Sequence, residues 1–553
     1  MLWINIYKRS DKKMETTKFS SVIEKTGIRI VCILSGCLAI WLSIVSMLHT
    51  VNVADILEGG GITSSLYFIL VGNESVIYYN DNLFLNIVYL FISVILICVL
   101  SSKLKKIRLS YKLLFLFLWT FSLGTVWVLS SQSAPTFDSL EIVKAASAFS
   151  ENDYSILENG VYFKEYSFQL GYVFFCEIIM RVVNYFTSPE NVMYLEVLNA
   201  LFLGAINVFV VKICDMTIKD ERVSTAVTLM LALSCVPIIS CSFIYGIIPG
   251  MFFAVIAFYF ELRYLMEDRL ICGIMSVVYI TIAVMIKSNY LIWLIAMILV
   301  AGVMMLSRKK YLRDSIICIM AAVLSLTVQP AVKKMYENRS GADLGEAIPY
   351  SAWIAMGLNE AQSAPGWFSY IYTTEKFEKN EFDAEKTGEE SRKNISDRLK
   401  KFVKEPQYTN DFFYKKMASQ WNETSYESIW NSTIRGQFKD KNAFADWVCN
   451  KGEKKVKKYM DIWAQLLFVS FTIGIMMIMK KKNFPAASLA VIFLGGFFYQ
   501  LISEGKSQYI MPYIIVMTGI AGYGVILLGD FLSEQYKKRK NTLQDKKVKN
   551  TGK

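Results

Sequence analysis

Ile28-Arg29-Ile30-Val31-Cys32-Ile33-Leu34-Ser35-Gly36-Cys37-Leu38-Ala39-Ile40-Trp41-Leu42-Ser43-Ile44-Val45-Ser46-Met47-Leu48 holds one charge, Arg29, at its second position. A bilayer core of ~30 Å is crossed by about 20 apolar residues in helical form. The run is too long for the apolar part of a cleavable signal and no small-residue cleavage site follows it, so it reads as a start-transfer helix. Lys8, Arg9, Lys12, Lys13, Lys18 and Lys25 precede it, and positive charge flanks the cytoplasmic side of membrane helices.

The same pattern recurs along the chain. Candidate spans are 28–48, 83–101, 111–130, 168–186, 192–214, 223–243, 248–266, 271–288, 290–306, 314–331, 461–479, 484–502 and 508–529. The chain has 553 residues, 54% of them hydrophobic and only 19% charged, a combination foreign to soluble domains of this length. The net charge of +12 collects at the two ends, the second holding Lys537, Lys538, Arg539, Lys540, Lys546, Lys547 and Lys549. We read this as orientation at a membrane rather than nucleic-acid binding, with both termini cytoplasmic.

The expected fold is an all-α polytopic membrane protein of about 12 transmembrane helices with a mixed or mainly helical extracytoplasmic domain. The chain divides into a cytoplasmic tail 1–27, a transmembrane module 28–331 with an outer loop 131–167, an extracytoplasmic domain 332–460, C-terminal transmembrane helices 461–529 and a basic cytoplasmic tail 530–553. Thirteen spans would put the termini on opposite sides, so one candidate fails to cross or one is missing. The three closely spaced runs in 168–243 and the weak run 62–72 are where that error is expected.

Several chemistries are excluded. The one histidine, His49, rules out HExxH metalloproteases and argues against a Ser-His-Asp triad. No GxxxxGK[ST] loop is present to couple the chain to ATP. All ten cysteines except Cys449 lie in or beside apolar runs and none forms CxxC, which disfavours a disulfide framework or a cysteine zinc site. A divalent metal has no support, and no resident cofactor is expected. A catalyst built here draws on carboxylates, lysines and aromatics.

Four polar clusters lie at the expected outer ends of spans. In Ser133-Ala134-Pro135-Thr136-Phe137-Asp138-Ser139-Leu140-Glu141, Pro135 breaks the preceding helix and a new one begins. Asp138 reads either as a helix cap with Glu141 three residues on, or as a general base held at the membrane surface. Tyr162 to Gly171 is polar and aromatic and contains Gln169. Lys287-Ser288-Asn289 interrupts two apolar runs, where Lys287 either snorkels to the interface or faces an anion. Ser503-Glu504-Gly505-Lys506-Ser507-Gln508-Tyr509 is richer in donors than a hairpin turn requires, and Lys506 suits a phosphate as a point charge. In the outer domain, Gln420-Trp421-Asn422-Glu423 and the tryptophans Trp353, Trp367 and Trp430 read as a sugar platform or as a small aromatic core. The sequons at Asn422 and Asn431 are short enough to arise by chance.

Taken together, the layout resembles the C-type integral-membrane glycosyltransferases, the superfamily of protein O-mannosyltransferases and aminoarabinose transferases. More closely, it resembles the protein-mannosyltransferase-like membrane proteins of low-GC Gram-positive bacteria. The resemblance runs from about Leu113 to Phe531. It is carried by Pro135 with Asp138, Asp153-Tyr154, Phe168-Gln169-Leu170-Gly171, Lys287-Ser288-Asn289, Ala355-Met356-Gly357-Leu358, Gln420-Trp421-Asn422-Glu423 and Glu504 to Tyr509. It implies inverting transfer of a sugar from a polyprenyl-phosphate carrier to an extracytoplasmic acceptor, which is an envelope glycan, lipid or protein. It further implies that Asp138 is the base, that Lys506, Tyr509 and Lys287 hold the donor phosphate, and that Glu141, Gln169, Gln420, Trp421, Asn422, Glu423 and Gln508 contact substrate. The resemblance also implies an acid in the turn Tyr245-Gly246-Ile247-Ile248-Pro249-Gly250, where this chain has Ile247. A flippase or transporter of lipid-linked saccharide is a competing expectation, though no repeat is visible. A polysaccharide polymerase or ligase is another, though arginines are few.

Overall fold

The computed structural model describes residues 2–55, 74–186, 191–308, 310–431 and 442–551. The weak run 62–72 lies outside them. Among the described residues the chain is an α-helical membrane bundle. Ten helices are long and apolar enough to cross a bilayer: Lys25–Leu48, Leu83–Leu104, Leu109–Ser131, Met193–Ile218, Ile247–Glu267, Ser288–Leu306, Tyr311–Ser340, Glu453–Lys481, Phe484–Ile502 and Ser507–Thr542. An eleventh crossing is possible through Glu221–Ala232 and Val236–Ser242, which are bent by 45° where Pro237 opens the second piece.

Two of the thirteen expected spans are short helices. Leu270–Ile286, at 17 residues, reaches about 26 Å, just under the bilayer core. Leu170–Val183, at 14 residues, reaches only about 21 Å. The latter also carries a charge network that suits the rim of the bundle. The buried carboxylate of Glu177 accepts from Arg181 Nε at 2.9 Å and Arg339 at 3.2 Å. It also accepts from the hydroxyl of Tyr336. The segment 168–186, expected as a span, is thus not among the helices long and apolar enough to cross. With the bent pair and Leu270–Ile286 added, the described residues offer twelve candidate crossings.

Close helix contacts and hydrogen bonds such as that from the Asn207 amide to Thr120 at 3.1 Å both join the helices of the bundle. At Gly524, in the long C-terminal helix, a Cβ would collide with the Ser470 carbonyl of Glu453–Lys481. Small residues at such crossings let backbones approach. Gly524→Ala is therefore expected to destabilise the detergent-solubilised protein by about 2 kcal/mol, the usual cost of overpacking, read as a lower thermal midpoint.

The region between Tyr311–Ser340 and Glu453–Lys481 is mainly helical where described, with Tyr350–Gly357, Thr374–Lys379, Ala384–Lys404 and Pro406–Trp421. A two-stranded antiparallel hairpin, His49–Asp55 with Glu74–Asn80, joins it from the far end of the sequence. Val51 bridges to Glu423, and the Val76 N–H donates to the Ser363 carbonyl at 3.4 Å. The hydrophobic core below this hairpin contains Val51, Val53, Trp367 and Trp430.

Candidate functional site

The helix Leu109–Ser131 stops at Gln132, which takes a left-handed turn at φ 43°. Pro135 follows, Phe137 sits at φ 48°, and a new helix, Asp138–Ser150, begins. Asp138 is thus the first helical residue and not the cap, a position held by Phe137. Its Oδ2 accepts a hydrogen bond from the Tyr245 hydroxyl at 2.9 Å. Of the two readings of Asp138 from sequence, capping is therefore not the one its side chain adopts.

Tyr245 comes from the turn that enters Ile247–Glu267. Gly246 in that turn has φ 78°, and a Cβ there would press on the Tyr172 ring at 3.2 Å. Ile247, where the family resemblance implies an acid, is buried, and its carbonyl accepts from the Tyr290 hydroxyl at 2.6 Å. The polar group this turn sends toward Asp138 is the phenol of Tyr245, two residues earlier.

Lys287 is in extended conformation between Leu270–Ile286 and the single turn Ser288–Tyr290. Its ammonium lies 3.6 Å from the centre of the Tyr245 ring and 5.6 Å from that of Tyr509. It also donates to the Tyr245 carbonyl at 3.4 Å. At 7% exposure it faces inward and does not snorkel. A cation over aromatic faces is held where it is partly desolvated, which keeps it available to an incoming anion.

Lys506 is fixed from below. Its Nζ lies 3.6 Å from Glu427 Oε2 and 5.6 Å from the centre of the Trp367 ring. Glu427 is tied in turn to the Ser507 N–H at 3.1 Å. Gln508 Oε1 accepts from the Asn431 amide at 2.8 Å. Glu504 Oε2 accepts from the Tyr509 hydroxyl at 3.3 Å. Burial pushes the Glu504 carboxyl up to about 7, with Glu427 and Asp138 adding and Lys506 opposing.

These side chains line one cavity of about 1960 Å³. Drug-sized ligands occupy ~300–1,000 Å³, so this space accommodates something considerably larger. Asp138, Glu141, Gln169, Lys287, Lys506, Gln508 and Tyr509 all line it, although they come from four separate stretches of chain. On one flank the wall is apolar, with Val284, Leu291, Leu326 and Pro330. Leu326 is 62% exposed on a membrane helix, so the cavity reaches the lipid-facing side of the bundle.

Gln420, Trp421, Asn422 and Glu423 do not line it. Each is at most 1% exposed, and all four are buried where the region between Tyr311–Ser340 and Glu453–Lys481 meets its surroundings. The Trp421 ring packs on Phe493 and Phe497, with centres 5.4 Å away in both cases. The Gln420 amide donates to the Gln500 carbonyl at 3.3 Å and the Asn422 amide to the His49 carbonyl at 2.7 Å. Glu423 accepts from the Ser507 hydroxyl at 2.8 Å. This corrects their placement among substrate contacts: all four are buried away from the cavity wall. Trp353 does line the cavity.

Tyr245, Glu504, Tyr162 and Glu165 also line the cavity and were not singled out from sequence. Glu504 stood beside Lys506 in a quoted run. Tyr245 stood beside a glycine at the end of a span. Among the described residues no group of three or more His, Cys, Asp or Glu side chains is placed to hold a metal ion. Comparison with protein-family models and with curated proteins gives no match.

Proposed function

We propose that this chain is a membrane glycosyltransferase that moves a sugar from a polyprenyl-phosphate carrier to an extracytoplasmic acceptor with inversion. The observation that carries this reading is the meeting of the Asp138 carboxylate with the Lys287 and Lys506 ammonium groups in a single large cavity, part of whose wall is the exposed Leu326 of a membrane helix. The chain is then a cell-membrane protein with twelve crossings, both termini cytoplasmic and the cavity outside. That orientation puts the basic links 103–108, 308–313 and 480–482 in the cytoplasm.

In this mechanism Asp138 takes the proton of the acceptor O–H or N–H as it attacks the anomeric carbon. The bond from that carbon to the phosphate oxygen breaks, and its electron pair leaves with the polyprenyl phosphate. Tyr245 donates to Oδ2 of Asp138 and so orients the carboxylate. Lys287 and Lys506 balance the charge that grows on the departing phosphate. The donor arrives by lipid, so no ATP is spent at this face. A transporter of the same ligand has no use for a base set beside two cations at one end of the bundle. A panel test follows. Polyprenyl-phosphate sugars, and not nucleotide sugars, are expected to be consumed by the reconstituted protein. Consumption of nucleotide sugars alone would overturn the reading.

Glu504 makes a pH prediction. Its carboxyl, at about 7, is neutral below that pH and anionic above it. The anion competes with the donor phosphate for the same cations. The KM for donor is therefore expected to rise as pH rises through about 7, and Glu504→Gln is expected to flatten that rise. A profile identical in the variant would remove Glu504 from the phosphate subsite.

A further inference from the structure

Glu165 lies in the same cavity, on a segment with no role in the chemistry above. The chain from Tyr162 to Glu165 forms one helical turn, and the side chain of Glu165 is 5% exposed. Its Oε1 is shielded from solvent and makes no hydrogen bond. No lysine or arginine among the described residues forms an ion pair with it, and Lys333, which lines the same cavity, is engaged by Glu337 at 3.6 Å. A buried carboxylate without a partner is rare in folded proteins, because its charge is left uncompensated.

The surroundings sharpen the point. Glu378 also lines the cavity and adds negative charge, its oxygens accepting from the Tyr370 hydroxyl at 3.2 and 3.1 Å. Burial, and then Glu378, push the Glu165 carboxyl up to about 7. The nearby wall is aromatic: the rings of Tyr166 and Trp353 have centres 6.1 Å apart, and the Tyr166 hydroxyl is already bonded to Thr374 at 2.6 Å. A neutral hydroxyl on a ligand would fill a lone pair of Glu165 but leave its charge. An ammonium group would satisfy both, and electron-rich ring faces favour it further.

We propose that Glu165, supported by Glu378 and flanked by Tyr166 and Trp353, is an ammonium-binding subsite, so that the ligand opposite the donor phosphate carries a free amine. That the amine belongs to the sugar acceptor rests on the transfer reading; the ammonium site itself does not.

The test uses the purified full chain in lipid nanodiscs and two probes that differ only at the amine. Glucosamine carries an ammonium, and N-acetylglucosamine a neutral amide of the same ring. The wild-type protein is expected to bind glucosamine at least tenfold more tightly, and Glu165→Gln to abolish the difference. That variant keeps the size and shape of the side chain and cannot ionise, so it is expected to fold at least as well as the wild type. Glu378→Gln, on an exposed residue, is expected to narrow the difference several-fold. Equal binding of the two probes by the wild type would overturn the proposal without any variant, as would a preference that survives in Glu165→Gln. Binding is read without turnover, so equal binding leaves the transfer reading standing, and failure of transfer leaves the ammonium site standing.

Discussion

Replacing Asp138 by Asn is expected to lower sugar transfer by roughly 10²–10⁴-fold, the contribution of a positioned general base. The variant keeps its size and its place at the start of Asp138–Ser150, and an amide oxygen can still accept from Tyr245, so the protein should reach the membrane in normal amount. What it loses is the ability to take a proton. The deficit should therefore appear in kcat, with donor affinity nearly unchanged, because the carboxylate does not hold the phosphate. Tyr245→Phe makes the companion measurement. It removes the hydrogen bond that orients Asp138 while leaving the ring under Lys287, and a smaller loss in kcat is expected. Transfer by Asp138→Asn at the wild-type rate would assign the base elsewhere.

The second large effect is expected at Lys506. Lys506→Met should reduce kcat/KM by about 10²–10³-fold, the usual loss when one group stabilising a developing anion is removed. Here folding must be separated from chemistry. Glu427 is fully buried, and breaking a buried pair by removing one partner costs about 3–5 kcal/mol. The double variant Lys506→Met with Glu427→Gln removes both charges together. It is expected to regain thermal stability relative to the single variant and to regain no transfer. Recovery of transfer in the double variant would mean that Lys506 serves only to neutralise Glu427.

Much of the fold was legible because membrane helices announce themselves by length and apolarity alone. The error fell on 168–186, where the residues are apolar enough but Glu177 and Arg181 signal a short helix at the rim. Periodicity does not report where a helix stops. The hairpin His49–Asp55 with Glu74–Asn80 was invisible for a different reason, since its partners in the outer domain lie hundreds of residues away. At the site, Asp138, Lys287 and Lys506 stood out because charge at the end of an apolar helix is costly and hence informative. Gln420 to Glu423 show the limit of that argument. Their composition suits a sugar, yet the amides bond backbone carbonyls and Trp421 packs among phenylalanines. Tyr245 escaped notice because a tyrosine at a membrane boundary usually serves as an interfacial anchor. Only the folded chain brings it to Asp138.

The most direct measurement places wild type and Asp138→Asn side by side in lipid nanodiscs with a labelled polyprenyl-phosphate sugar and a mixture of envelope acceptors. Free polyprenyl phosphate and the anomeric configuration of the transferred sugar are then followed by mass spectrometry and NMR. The wild type should release polyprenyl phosphate and give a product of inverted configuration, while Asp138→Asn retains the donor and releases almost none. A retained configuration, or equal release by both proteins, would contradict a base at Asp138 acting opposite a phosphate held by Lys287 and Lys506.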